Sequence, residues 1–173
     1  LHRKYAPNEE VFELVWTHCR IVGDVALQLA KNSGTDVNAA LVQVGCLLHD
    51  IGVYALYDGG EFGTNQNYIT HGIRGEEILK HEGFPETIWR FASHHTGVGI
   101  TKKQIVERNL PLPHEDFLAE TPEEELVMYA DKFHSKTEPP YFNSYDYCAD
   151  YTVQFGEENI ESLNRLTAKF GKP

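Results

Sequence analysis

The chain has 173 residues, 41% of them hydrophobic and 24% charged, the balance of one globular domain able to shelter a cleft without disulfide support. Its formal net charge is -11, and Glu115, Asp116, Glu120, Glu123, Glu124 and Glu125 crowd into one short segment. Such a surface excludes long nucleic acid as a partner, because extended DNA or RNA binding draws on many phosphate contacts from a basic face. A small anionic substrate stays open, since bound cations offset negative charge locally.

The sequence carries no long apolar run of the kind that spans a bilayer, and its first residues are polar and basic with no apolar stretch behind them. The expectation is a soluble, cytoplasmic protein with no membrane partner. The chain begins at Leu1, so a preceding targeting segment stays open, as does the oligomeric state. Cys19, Cys46 and Cys148 are too widely spaced for a disulfide framework or a Cys-x-x-Cys clip, and read as small buried apolar residues.

In chain order, Val11, Val15, Val22, Val25 and Leu29 form a helical stripe with His18 on the same face. This predicts a helix from Glu9 to Lys31, started by Asn8 and stopped near Gly34. A second, central helix begins after Thr35 or Asp36 and runs through the apolar Ala39 to Leu48 into His49 and Asp50. From Gly52 to Thr70 the chain is glycine-rich and polar, with Gly59, Gly60 and Gly63, and reads as a long functional loop. A third helix follows Thr70 and stops at Gly83, and a fourth starts at Pro85 and ends before Gly97. Thr101 to Arg108 makes a short helix before Pro111 and Pro113 break the pattern. Thr121-Pro122-Glu123-Glu124 signals the start of the helix that carries Asp131. Two more helices, about Ser144 to Phe155 and Glu157 to Phe170, close the chain. The class is all-α: a single domain over 1–173, with no repeats and no credible strands.

Chemistry enters through the histidines. His18 sits on an apolar stripe, His49 ends a buried helix, and His94 and His95 end another. Burying these imidazoles and the Asp50 carboxylate without partners is too costly, and a metal site satisfies all of them together. Imidazole and carboxylate suit a divalent ion such as iron, manganese, zinc, cobalt or nickel, while the lack of a thiolate cluster argues against a structural zinc. Asp50 can offer one oxygen to each of two ions, and two ions about 3.5–4 Å apart can clamp a phosphoryl group.

His18, then His49-Asp50, then Asp131 on a late helix resembles the defining pattern of the HD superfamily of metal-dependent phosphohydrolases, and His49-Asp50-Ile51-Gly52 spells its HDIG variant. His71, in His71-Gly72-Ile73-Arg74-Gly75, and His94-His95-Thr96-Gly97 resemble the additions of its dinuclear branches. Those branches include bis(5'-nucleosyl)tetraphosphatases of the YqeK type and cyclic-dinucleotide phosphodiesterases. The resemblance covers His18 to Asp131 and nothing beyond. It implies an HD-domain bundle of about six or seven helices, a first ion on His18, His49, Asp50 and Asp131, and a second on Asp50, His71, His94 and His95. It also implies a metal-activated water that attacks a phosphoester or phosphoanhydride of a small phosphorylated or nucleotide substrate. Related readings are a diiron oxygenase and a non-catalytic metal- or nucleotide-binding module.

One position departs from the pattern. Many relatives carry Lys three residues after the HD aspartate, where it meets substrate phosphate, and here Val53 stands there. Arg74, one turn from His71, is the first candidate for the missing cation and for a catalytic role beside Asp50, with Lys102 and Lys103 behind it. The Gly52–Thr70 loop and the Gly97–Glu120 segment flank the ligand-bearing helix ends as lid or wall, and Tyr54, Tyr57 and Tyr68 are candidates to stack on a base.

Overall fold

The computed structural model describes residues 1–58, 67–137 and 139–173; Gly59, Gly60 and Gly63 of the expected loop lie outside them. Among the described residues there are nine α-helices and no strand: α1 (His2–Tyr5), α2 (Glu9–Ser33), α3 (Ala39–Leu48), α4 (His71–His81), α5 (Glu86–Ser93), α6 (Lys102–Glu107), α7 (Pro122–Asp131), α8 (Tyr145–Val153) and α9 (Glu157–Phe170). The excess over six or seven comes from short pieces such as the four-residue α1, which too little periodicity announces.

Local chemistry sets the boundaries. The Asn8 side chain accepts from Val11 N and caps α2, and Gly34 closes that helix at φ 68°, a conformation that suits glycine. Helix α3 starts later than expected because Asn38, not Thr35 or Asp36, supplies the cap, accepting from Leu41 N. Thr121 caps α7 by accepting from Glu124 N, with Pro122 in the first turn.

Helix α2 is the spine. Its Val22, Ala26 and Leu29 pack with Val42 of α3, Leu126 and Tyr129 of α7, and Leu163, Leu166 and Phe170 of α9. Its Val11, Val15 and Cys19 pack in a second cluster with Leu48, Ile51, Val53, Leu79 and Ala92. His18 lies on α2 between residues of these two apolar bodies and is 1% exposed. All three cysteines are buried and free.

The expected loop begins later than Gly52, because Ile51–Leu56 forms a 3-10 helix and Tyr68–Thr70 another. Ile51, Val53 and Tyr54 are buried there, so apolar anchoring overrides the glycine signal. Ala39–Leu56 is long and apolar enough to cross a membrane by composition, contrary to the sequence expectation. In this fold one face of it packs into the core while Val44 stays exposed, and it changes from α to 3-10 helix at His49-Asp50, whose polar side chains are fully buried.

The acidic segment is partly absorbed by ion pairs. Glu124 is 5% exposed and accepts from Arg90 Nε at 2.8 Å and from Glu120 N at 2.7 Å. Glu125 takes Arg165 and Lys169. Burial pushes the Glu124 pKa up, but the Arg90 hydrogen bond, the Glu120 N–H and the Arg90 charge outweigh it and hold the carboxyl below its usual value. A depressed folded pKa contributes stability that is present above the ordinary glutamate range and is lost as pH falls through the folded value. Glu124→Ala, which strands Arg90, should therefore cost about 3 kcal/mol and lower Tm by roughly 6–12 °C at neutral pH, with a smaller deficit in acid. Thermal melts of both proteins across pH 3–8 check this, and superimposable curves would deny the pair a structural role.

Candidate metal centre

Three histidines are oriented by one local device. His49 Nδ1 donates to Cys46 O at 2.7 Å, His71 Nδ1 to Tyr68 O at 2.7 Å, and His95 Nδ1 to Ala92 O at 2.7 Å. Each uses the carbonyl three residues back, a group available at helix ends and tight turns. A carbonyl only accepts, so Nδ1 carries a proton, and in the neutral ring Nε2 presents a lone pair.

Those lone pairs converge. His71 Nε2 and His95 Nε2 stand 3.0 Å apart, and His49 Nε2 lies 3.3 Å from His18 Nε2. Two facing lone pairs at such range repel unless a cation sits with them. His18 is set differently: its Nδ1 is 2.9 Å from His134 Nδ1. Burial, reinforced by the neighbouring His18, brings the His134 pKa down to about 4, so its ring is neutral and can accept the His18 proton.

Asp50 joins the two halves. Its Oδ2 lies 3.2 Å from His18 Nε2 and 3.4 Å from His49 Nε2, while its Oδ1 is 3.5 Å from both His71 Nε2 and His95 Nε2. Asp131 Oδ1 completes the first half, 2.9 Å from His18 Nε2 and 3.3 Å from His49 Nε2. His18, His49, Asp50 and Asp131 could thus hold one ion, and Asp50, His71 and His95 another. Asp50 is fully buried and its Oδ1 accepts no hydrogen bond, a buried acceptor that a metal would satisfy.

The electrostatics also call for positive charge. Burial pushes the Asp50 and Asp131 pKa values up, but the Lys136 charge and the histidines hold both carboxyls well below the usual range. Burial opposes a charge on His49, yet the Asp50 carboxylate raises it well above the ordinary histidine value. On the other side burial, with His95, lowers His71 to about 3, so that ring offers a lone pair at neutral pH.

Glycines permit this approach. A Cβ on Gly52 would overlap the His71 carbonyl oxygen and the Gly75 nitrogen, so only glycine lets the turn after Asp50 lie against α4. Likewise a Cβ on Gly75 would come within 2.8 Å of Ala92 Cβ, between α4 and α5.

Two expected residues are not brought to the centre. His94 caps α5 beside His95 but bonds Ser93 Oγ through Nδ1 at 2.7 Å and packs its ring 5.6 Å from Phe117. It stands outside both ligand groups among the described residues, because adjacent helical positions face different directions. Arg74 has a half-exposed side chain and pairs with Glu77 at 3.0 Å on the surface of α4. Neither it nor Lys102 nor Lys103 lines the central cavity.

The cation at the centre is Lys136, whose Nζ lies 2.5 Å from Asp50 Oδ2 and 5.9 Å from the centre of the Tyr68 ring. Its pKa is pulled down by burial but raised well above normal by Asp50, Tyr68 and Asp131, so it is a permanent cation at neutral pH. Sequence reasoning missed Lys136 and His134 because both follow α7 in irregular chain, where no periodicity assigns a facing. The only signal is their place three and five residues after Asp131. Hydrogen bonds from Asn143 to Phe133 O and Lys132 O pin this segment.

A cavity of about 750 Å³ opens beside the centre. Its walls include His71, His95, Asp131 and Lys136 of the centre together with Arg108, Tyr147, Tyr151 and Phe155. Tyr68 also borders it but stacks on His71 at 4.8 Å, and Tyr54 is buried with its hydroxyl on His2 Nδ1 at 2.8 Å.

Comparison with known proteins places these residues in a wider setting. The HD domain family model matches residues 15–136. An uncharacterised protein of Methanocaldococcus jannaschii is 41% identical over 122 residues, 69% of this chain and 65% of that one. The tRNA (cytidine(56)-2'-O)-methyltransferase of Picrophilus torridus is 37% identical over 124 residues, 72% of this chain but 32% of that protein. This chain therefore spans just under two thirds of the first relative and about a third of the second. Among solved structures, the HD domain of Listeria monocytogenes phosphodiesterase PgpH in complex with cyclic-di-AMP superimposes with a TM-score of 0.55 at 18% identity, covering 94% of this chain and 89% of that one. At that identity the likeness is one of fold.

Proposed function

The chain belongs to the HD domain family, and from that membership we propose that it is a metal-dependent phosphohydrolase acting on a phosphoester or phosphoanhydride of a small nucleotide-like molecule. The observation that carries the reading is the Asp50 carboxylate, buried, with one oxygen turned to each of two converging sets of Nε2 atoms. In this reading His18, His49, Asp50 and Asp131 hold one divalent ion and Asp50, His71 and His95 a second. Such ions supply an activated water and neutralise charge on the phosphoryl oxygens.

The chain's own groups do the rest. Cys46 O, Tyr68 O and Ala92 O fix the tautomers of three ligands, and His134 orients His18, so each neutral ring would turn Nε2 to the metal. Lys136 takes the place of the lysine that Val53 lacks and binds a phosphoryl oxygen at the cavity end beside Asp50. The nucleotide class of substrate is supported by the cyclic-di-AMP bound to the PgpH domain and by a cavity large enough for more than phosphate.

Phosphate release from a panel of mononucleotides, dinucleoside polyphosphates and cyclic dinucleotides, run with iron, manganese, cobalt and nickel, tests this function. Dioxygen consumption without phosphate release would replace it with the oxygenase reading. The same preparations should melt higher with metal than after chelation, by about 2.7 kcal/mol of added stability at a hundredfold excess over Kd, because a ligand confined to the folded state stabilises it by mass action. An unchanged Tm after verified metal removal would speak against a preformed centre.

A further inference from the structure

Three aromatic residues that border the cavity lie beyond the matched family region, on α8 and just after it. Tyr147, Tyr151 and Phe155 follow at four-residue steps and form one ridge along the cavity wall. The buried side of α8 is carried instead by Cys148 and Thr152, each 5% exposed. Tyr147 and Tyr151 remain 51% and 55% exposed, which is costly for large rings unless something covers them.

The rings are arranged and braced. Tyr147 and Tyr151 are near-parallel, 14° between planes, with centroids 6.4 Å apart, so each keeps a free face. Phe155 meets Tyr151 edge-on at 5.3 Å. Arg108 of the segment after α6 donates to Phe155 O at 2.6 Å and sits over the Phe155 ring, tying the foot of the ridge to the opposite wall. Gln104 bonds Asn159 at 2.7 Å across the same floor and joins α6 to α9.

We infer that this aromatic ridge is the base-binding half of the site: Tyr147 and Tyr151 stack on the nucleobase of a substrate whose phosphate lies at Lys136 and Asp50. The inference deepens the proposed function and rests on it for the phosphate end alone. A phosphate group fills a small part of a 750 Å³ cavity, and the rest of the wall offers ring faces, the surface that every nucleobase accepts. A base seated there would cover the two exposed tyrosines.

The test measures equilibrium binding of adenosine, guanosine, cytidine and uridine to the manganese-loaded full chain, together with kcat/KM for the 5'-monophosphate of the tightest binder and for ribose 5-phosphate. At least one nucleoside should bind, and its monophosphate should exceed ribose 5-phosphate in kcat/KM by roughly tenfold or more. Tyr147→Leu and Tyr151→Leu should each weaken nucleoside binding about tenfold and together erase the advantage of the nucleotide, while Tyr151→Phe, which keeps the ring, should restore it. If no nucleoside binds, or if the double leucine variant with native melting behaviour binds as well as wild type, the ridge is not a base site. Ring-dependent nucleoside binding without any phosphate release would keep the base site and remove the phosphohydrolase reading.

Discussion

Asp50→Ala should leave the folded chain without bound divalent metal and without phosphate release, a loss on the order of 10³-fold or more. The expectation follows from geometry: among the described residues Asp50 alone is shared by the two ligand groups, its Oδ2 facing His18 and His49 and its Oδ1 facing His71 and His95. Removing it strips both groups and leaves the partly buried Lys136 without its closest anion. His71→Ala is the contrast, because it takes one nitrogen from the second group and leaves His18, His49, Asp50 and Asp131 intact. Elemental analysis should find about two equivalents in wild type, about one in the His71 variant and almost none in the Asp50 variant, with turnover lost in both variants. Circular dichroism must show the helical content unchanged for the comparison to count. A His71 variant that keeps two metals or full turnover would reduce the centre to one ion and make His71 and His95 substrate-facing groups.

Much of this centre was readable in the sequence because its residues sit where helix grammar puts them. His18 lies on the apolar stripe of α2, and His49 and His95 follow helices whose ends the sequence marks with Asp-Ile-Gly and Thr-Gly. The order of the fold was legible for the same reason, since Asn8, Gly34 and Pro122 punctuate α2 and α7 at the observed ends. What failed depended on side-chain direction or on irregular chain. His94 and His95 look equivalent in sequence, but His95 is turned to the centre by its bond to Ala92 O while His94 bonds Ser93 Oγ and packs on Phe117. The glycines around residue 52 suggested an open loop, but Gly52 is there for the close approach to α4, a packing requirement with no local signature. Arg74 was favoured because it lies one turn from His71 on the same helix, yet α4 directs it outward to Glu77.

Lys136 therefore carries the second large expectation. A permanent cation 2.5 Å from Asp50 Oδ2, at the metal end of the cavity, can stabilise the charge that gathers on a transferring phosphoryl group. Lys136→Met keeps the length and apolar stem of the side chain and removes only the charge, so the manganese-loaded variant should fold and keep its metal. Its kcat/KM should fall roughly 10²–10³-fold, in line with the loss of one strong preorganised donor. Arg74→Ala should stay within about twofold of wild type, because its guanidinium is engaged in an exposed pair of small energetic weight. Lys136→Arg discriminates further: a longer, planar cation restores charge but not position, so partial recovery of kcat/KM is expected from it and none from Met. If Lys136→Met turns over at the wild-type rate while Arg74→Ala does not, the phosphate is bound from the α4 side and the cation near Asp50 is only a structural counter-charge.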